Sequence, residues 1–194
     1  MIQLNNTSSN NMNKNNARLN NCFKGLGVAV ITPFKKDGSV DFESLEKLID
    51  KQLNEGVDFF CVLGTTAETP TLNTEEREAI TTFFINKVNG RVPILLGAGG
   101  NDTRKVVEGL KNLPKGIDGL LIVAPYYNKP SQEGIYQHYK AVAEATDLPI
   151  VLYNVPGRTG VNITAETTLR LARDFNNIIA TKEASGNLAQ IEHI

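Results

Sequence analysis

Six short apolar runs recur along this chain: Gly27 to Thr32, Val57 to Leu63, Val92 to Leu96, Leu120 to Ala124, Pro149 to Tyr153 and Ile178 to Lys182. Their starts lie roughly 30 residues apart, the length of one βα unit. Each run is near-continuous in apolar character rather than alternating, which is the pattern of parallel strands covered on both faces. Antiparallel hairpins repeat faster. Between the runs lie amphipathic stripes at helical spacing, such as Leu45, Leu48, Ile49 and Leu53, then Ile80, Phe83, Phe84 and Val88. Asn73 followed by Glu76 predicts a capped helix start, Ser131 and Thr164 predict two more, and Gly56 predicts the end of the first helix.

Right-handed βα crossovers of this kind either wind doubly or close into a barrel. The even spacing, and polar residues gathered just after the strand ends, favour an α/β fold of the (β/α)8 TIM-barrel type. A complete barrel takes about 250 residues and eight strands, whereas this chain has 194 residues. The expectation is therefore a C-terminally shortened barrel covering about the first six βα units. Nine Asn among the first 21 residues predict a flexible, solvated extension over 1–22, because such a composition buries too little surface to offset the entropy of ordering. The catalytic domain is then 23–194.

Charge narrows the function. Twenty Lys and Arg nearly cancel 21 Asp and Glu, so the chain lacks the polycationic field that nucleic acid or an anionic membrane surface attracts. No apolar segment is long enough to cross a bilayer. Cys22 and Cys61 make no disulfide framework, no Cys/His cluster has zinc spacing, and a soluble protein of the reducing cytoplasm fits.

Chemistry concentrates at the strand ends. Lys182 closes an apolar strand in which the period of two sets Ile178, Ala180 and Lys182 on one face. If that face is the barrel interior, Lys182 is desolvated, and a free amine at the catalytic mouth attacks a carbonyl to give a Schiff base. The bland alternative is a solvated strand-end lysine beside Glu183. One strand earlier, Tyr153 is either a proton shuttle or a core tyrosine, and Asn154 carries no message alone. Arg158, on a loop shaped by Pro156, Gly157 and Gly160, offers a planar donor fork to a carboxylate, or is a surface arginine. Thr65 and Thr66 can cradle a small carboxylate or simply form a turn. Tyr126 and Tyr127 are candidates for catalysis or for a contact between subunits. Gly97-Ala98-Gly99-Gly100 invites a phosphate-loop reading but fails the dinucleotide fingerprint, since Asp102 stands where the last glycine belongs.

Taken together, Gly64-Thr65-Thr66-Ala67-Glu68, Pro125-Tyr126-Tyr127-Asn128, Tyr153 to Gly160 and Lys182-Glu183-Ala184-Ser185-Gly186 resemble the 4-hydroxy-tetrahydrodipicolinate synthases, long called dihydrodipicolinate synthases, of the pyruvate-dependent class I aldolase superfamily. The resemblance runs from about Gly25 to the end. It implies a lyase that condenses pyruvate with L-aspartate 4-semialdehyde on the diaminopimelate route to lysine. It implies Lys182 as Schiff-base former, Tyr153 and Thr65 as proton relay, Tyr127 completing that relay in a neighbouring subunit, Thr66 on the pyruvate carboxylate and Arg158 on that of the semialdehyde. It further implies self-association as a dimer or tetramer, a homotetramer being the usual state. No metal or organic cofactor is implied, because the iminium is itself the electron sink. Ala67 stands where the family usually has glycine, a change expected to be tolerated. The rival readings are another Schiff-base aldolase such as N-acetylneuraminate lyase, whose members usually have Ser at the place of Thr65 and lack Arg158, or a non-catalytic part-barrel.

Overall fold

The computed structural model describes residues 1–4 and 22–194. Most of the predicted extension thus lies outside the described residues. The chain divides into two compact units, one of Cys22–Gly97 with Pro114–Asp118, the other of residues 1–4, Ala98–Leu113 and Gly119–Ile194.

In the first unit, strands β2 (Gly27–Ala29), β3 (Phe59–Val62) and β4 (Ile94–Gly97) run parallel, with Val28 beside Phe60 and Cys61 beside Leu95. The strand predicted over 27–32 is shorter than expected. Val30 still donates to the Cys61 carbonyl, but Pro33 lacks an N–H and disfavours further regular pairing. Helices α1 (Phe42–Asn54) and α2 (Thr74–Val88) connect the strands. Leu45 and Ile49 of α1, and Ile80, Phe84 and Val88 of α2, are buried as their spacing predicts. Asn73 caps α2 in both directions: its Oδ1 accepts from the Glu76 N–H at 2.8 Å and its own N–H donates to the Glu76 carboxylate at 2.9 Å. Gly56 follows the end of α1 with φ of 84°, the left-handed geometry that favours glycine.

In the second unit, β5 (Gly119–Val123), β6 (Ile150–Asn154) and β7 (Ile178–Glu183) are parallel. Helices α3 (Thr103–Leu110), α4 (Gln132–Glu144), α5 (Pro156–Thr159), α6 (Ala165–Asp174) and α7 (Leu188–His193) intervene or follow. Ser131 and Thr164 cap α4 and α6 as predicted. Asp102, which spoils the dinucleotide fingerprint, caps α3 by accepting from the Arg104 and Lys105 N–H groups. Helix α4 is tied to α6 by Tyr136 Oη donating to Asp174 at 2.7 Å and by Gln132 Oε1 accepting from Thr167 Oγ1 at 2.7 Å.

The amino end departs from expectation. Ile2–Gln3 forms a strand, β1, that pairs antiparallel with Ala180 and Thr181 of β7. Leu4 is buried, and its N–H donates to the Ile179 carbonyl at 2.9 Å. Residues 2–4 are therefore not part of a solvated extension, because they exchange backbone hydrogen bonds with β7.

Candidate active site

Tyr153 and Lys182 end neighbouring parallel strands, and the register sets them side by side. An irregularity makes this so. Ile150 pairs with Ile178 but Val151 with Ala180, so Ile179 is an extra residue that shifts everything after it by one position. Without the shift Tyr153 would face Thr181. With it, the Lys182 Nζ lies 4.6 Å from the centroid of the Tyr153 ring, within the range of cation–π contact. Tyr153 is buried at 6% exposure. Lys182 is half-buried, between the desolvated amine and the solvated strand-end lysine that the sequence left open: β7 is covered from Ile178 to Thr181 and opens at its last two residues.

The residues around this pair differ in how firmly they are held. Arg158 is exposed on the single helical turn α5, begun by Pro156 with its preset φ and stopped by Gly160 at φ of 73°. Thr159 anchors that turn, its Oγ1 donating to the Val161 carbonyl at 2.8 Å. The following loop returns to the strand end through the Ile163 N–H, which donates to Asn154 Oδ1 at 2.9 Å. Tyr127 has a φ of 72° and is 87% exposed. Its ring is on the surface rather than packed against Lys182. A left-handed backbone at a bulky residue is costly, and here its N–H is held by the Thr159 carbonyl at 3.2 Å.

Thr65 and Thr66 belong to the unit of Cys22–Gly97. Both are exposed on a 3₁₀ turn, Thr65–Ala67, that follows β3 after Leu63 and Gly64. The turn is closed by the Ala67 N–H donating to the Gly64 carbonyl, while Thr32 Oγ1 donates to the Ala67 carbonyl at 2.8 Å. Ala67 is buried and is not among the described residues with positive φ; that conformation falls on Glu68, at 55°. The methyl of Ala67 thus meets no backbone objection. The glycines of the Gly97 to Gly100 stretch serve close packing: a Cβ at Gly97 would sit 2.0 Å from the Leu63 carbonyl oxygen, and one at Gly99 2.6 Å from the Val123 nitrogen. Among the described residues no group of three or more His, Cys, Asp or Glu could hold a metal ion.

What sequence reading missed is Asn154. It is fully buried and bonds to Glu183, Asn162 and Ile163. Its position, one residue beyond Tyr153 at the end of an apolar strand, gave no signal by itself, since an amide needs partners there only if it is buried.

The sequence profile described as the Dihydrodipicolinate synthetase family matches residues 22–194. The chain belongs to that family. A 4-hydroxy-tetrahydrodipicolinate synthase of Phocaeicola vulgatus is 69% identical to it over 172 residues, which are 88% of this chain and 58% of the relative. Among solved structures, a dihydrodipicolinate synthase from Thermotoga maritima is 50% identical with a TM-score of 0.86, over 89% of this chain and 58% of its own. A chloride-inhibited dihydrodipicolinate synthase from Acinetobacter baumannii, complexed with pyruvate, is 47% identical with a TM-score of 0.81, over 86% and 57% respectively. The chain spans about 58% of the length of the Phocaeicola vulgatus relative. The expected fold class holds, α/β and a partial (β/α)8 barrel. No helix among the described residues is long and apolar enough to cross a membrane.

Proposed function

We propose that this chain carries the Schiff-base half of a 4-hydroxy-tetrahydrodipicolinate synthase, in which Lys182 binds pyruvate covalently and L-aspartate 4-semialdehyde is the second substrate. The observation that carries the reading is the register-shifted pairing of Lys182 with Tyr153 in a member of this family. The unprotonated Nζ adds to the carbonyl carbon of pyruvate. Water leaves with the former carbonyl oxygen, and the nitrogen becomes part of a protonated imine. That cation accepts the electron pair when a methyl proton departs, and the resulting enamine attacks the aldehyde carbon of the second substrate, forming the new carbon–carbon bond. The Tyr153 hydroxyl, with Thr65, relays protons to and from the departing oxygen. Thr66 with its neighbouring backbone N–H groups holds the pyruvate carboxylate, and the Arg158 guanidinium that of the semialdehyde.

Thr65 and Arg158 also distinguish this reading from N-acetylneuraminate lyase. Tyr127 completes the relay of a second subunit, so the working enzyme is a dimer or a tetramer, and its place is the cytoplasm. The test is reduction of the full-length protein with borohydride in the presence of pyruvate, followed by peptide mass spectrometry. The expected result is an adduct on Lys182 that Lys182→Ala abolishes with folding intact. A folded wild-type protein that acquires no label there overturns the proposal.

A further inference from the structure

Directly after the Tyr153–Lys182 pair, the register sets Asn154 beside Glu183, and the period of two turns this second pair to the opposite face of the strands. Every polar atom of the Asn154 side chain is engaged. The two N–H groups of Nδ2 are shared among the Glu183 carboxylate oxygens, at 2.9 and 3.1 Å, Asn162 Oδ1 at 2.8 Å and, more weakly, the Ile163 carbonyl at 3.4 Å. Oδ1 accepts from the Ile163 N–H at 2.9 Å. Glu183 accepts further from the Ser185 N–H at 2.8 Å and from Gln190 Nε2 at 3.0 Å, and Asn162 Nδ2 donates to Gln190 Oε1 at 2.8 Å. The network joins the end of β6, the loop that follows the Arg158 turn, the residue after Lys182 and the helix α7.

A strand end is where pairing frays first, and Lys182 is the last residue but one of β7. Beyond it the chain enters a loop containing Gly186 at φ of 74°. The Asn154–Glu183 side-chain bonds add to the backbone bond from the Ala184 N–H to the Asn154 carbonyl at 2.8 Å in keeping β7 from peeling away from β6 at the position of the amine, and they tie the Glu183 side chain to β6. We infer that Asn154 is a positioning residue which, through Glu183, holds the Lys182 Nζ against Tyr153; this rests on the proposed role of Lys182. An amide that merely stabilised the loop would lower the melting temperature and leave the rate of Schiff-base formation untouched.

The full-length protein is assayed for the rate at which cyanoborohydride traps the pyruvate adduct on Lys182 at saturating pyruvate. Asn154→Asp replaces the donor by a carboxylate facing Glu183, and should slow trapping about tenfold or more, with a smaller change in the pyruvate concentration giving half the maximal rate. In the double variant N154D/E183Q the amide introduced at position 183 donates to the carboxylate introduced at 154, and trapping should return to within about threefold of wild type. Glu183→Ala, at a half-buried site, removes the acceptor altogether and should slow trapping about as much as Asn154→Asp; it decides the matter if Asn154→Asp fails to fold. Trapping at the wild-type rate in folded Asn154→Asp or Glu183→Ala, or a double variant no faster than Asn154→Asp, overturns the inference while leaving the proposed function standing. A wild-type protein that traps no pyruvate overturns both.

Discussion

Two side chains of the second unit show how differently one fold treats its polar groups. Arg158 is held out on a short turn with its guanidinium exposed, a geometry suited to meeting a second substrate rather than to fixing the first. Arg158→Ala should leave trapping of pyruvate on Lys182 unchanged and raise the semialdehyde concentration needed for half-maximal turnover about tenfold or more, the worth of a charged hydrogen-bonded pair. Steady-state kinetics with each substrate varied in turn checks this; equal loss toward both would reassign the guanidinium. His138 is the opposite case. It is buried, with Nδ1 2.9 Å from Thr103 Oγ1, its ring edge-on to Tyr139, and Nε2 without a hydrogen-bond partner among the described residues. Burial pushes the imidazole down from 6.5 to about 4. The unfolded chain therefore binds this proton at higher pH than the folded one, and the contribution to stability is present above pH 6.5 and lost as pH falls toward about 4. The loss amounts to roughly 3 kcal/mol at most. Thermal melts of wild type and His138→Gln over that window should show the wild type losing more stability than the variant; parallel curves would mean that folding does not lower the proton affinity of this imidazole. Lys182 and Tyr153 were legible because they punctuate apolar runs with groups that rarely sit there. Asn154 was not, since a single amide at a strand end reads the same whether it is clamped or solvated, and only the register of β6 on β7 tells the two apart.

At the scale of elements, local chemistry was the most readable layer. Every predicted cap is made, because an N-cap side chain needs only its own next three residues. The box at Asn73 is the fullest, with both bonds formed at the head of α2. Asn73→Ala should cost about 1 kcal/mol, seen as a lower melting temperature with cooperativity retained; an unshifted transition would place the helix's stability entirely in Ile80, Phe84 and Val88. The strands followed their apolar runs for the same reason, apart from β2, where a proline four residues beyond the ladder shortens it. Two features that depend on distant pairing went unread. One is the extra residue Ile179, which exists only as a mismatch between two strands. The other is β1: averaged over 22 residues the amino end is polar, yet Ile2 to Leu4 alone has the apolar character of an edge strand, and composition taken over the whole stretch hid it.

For the whole molecule, the question left by Tyr127 is which active site it serves. A tyrosine that is 87% exposed on a left-handed backbone gains nothing for its own subunit's core, and the proposed function assigns it to the site of a second copy of the chain. If each site of a symmetric dimer combines its own Lys182 with the other subunit's Tyr127, then two inactive variants can complement each other. A subunit carrying Lys182→Ala has no amine but lends an intact Tyr127, and one carrying Tyr127→Ala has the amine and lends nothing. Their mixed dimer holds one complete site and one doubly defective site. After dissociation and random reassociation of equal amounts, half the dimers are mixed, so about a quarter of the wild-type activity should return. If Tyr127 served its own subunit instead, the mixed dimer would hold two defective sites and the mixture would stay as inactive as its components. Turnover measured on the remixed full-length variants separates the two arrangements, since unmixed controls carried through the same dissociation report any activity regained by refolding alone.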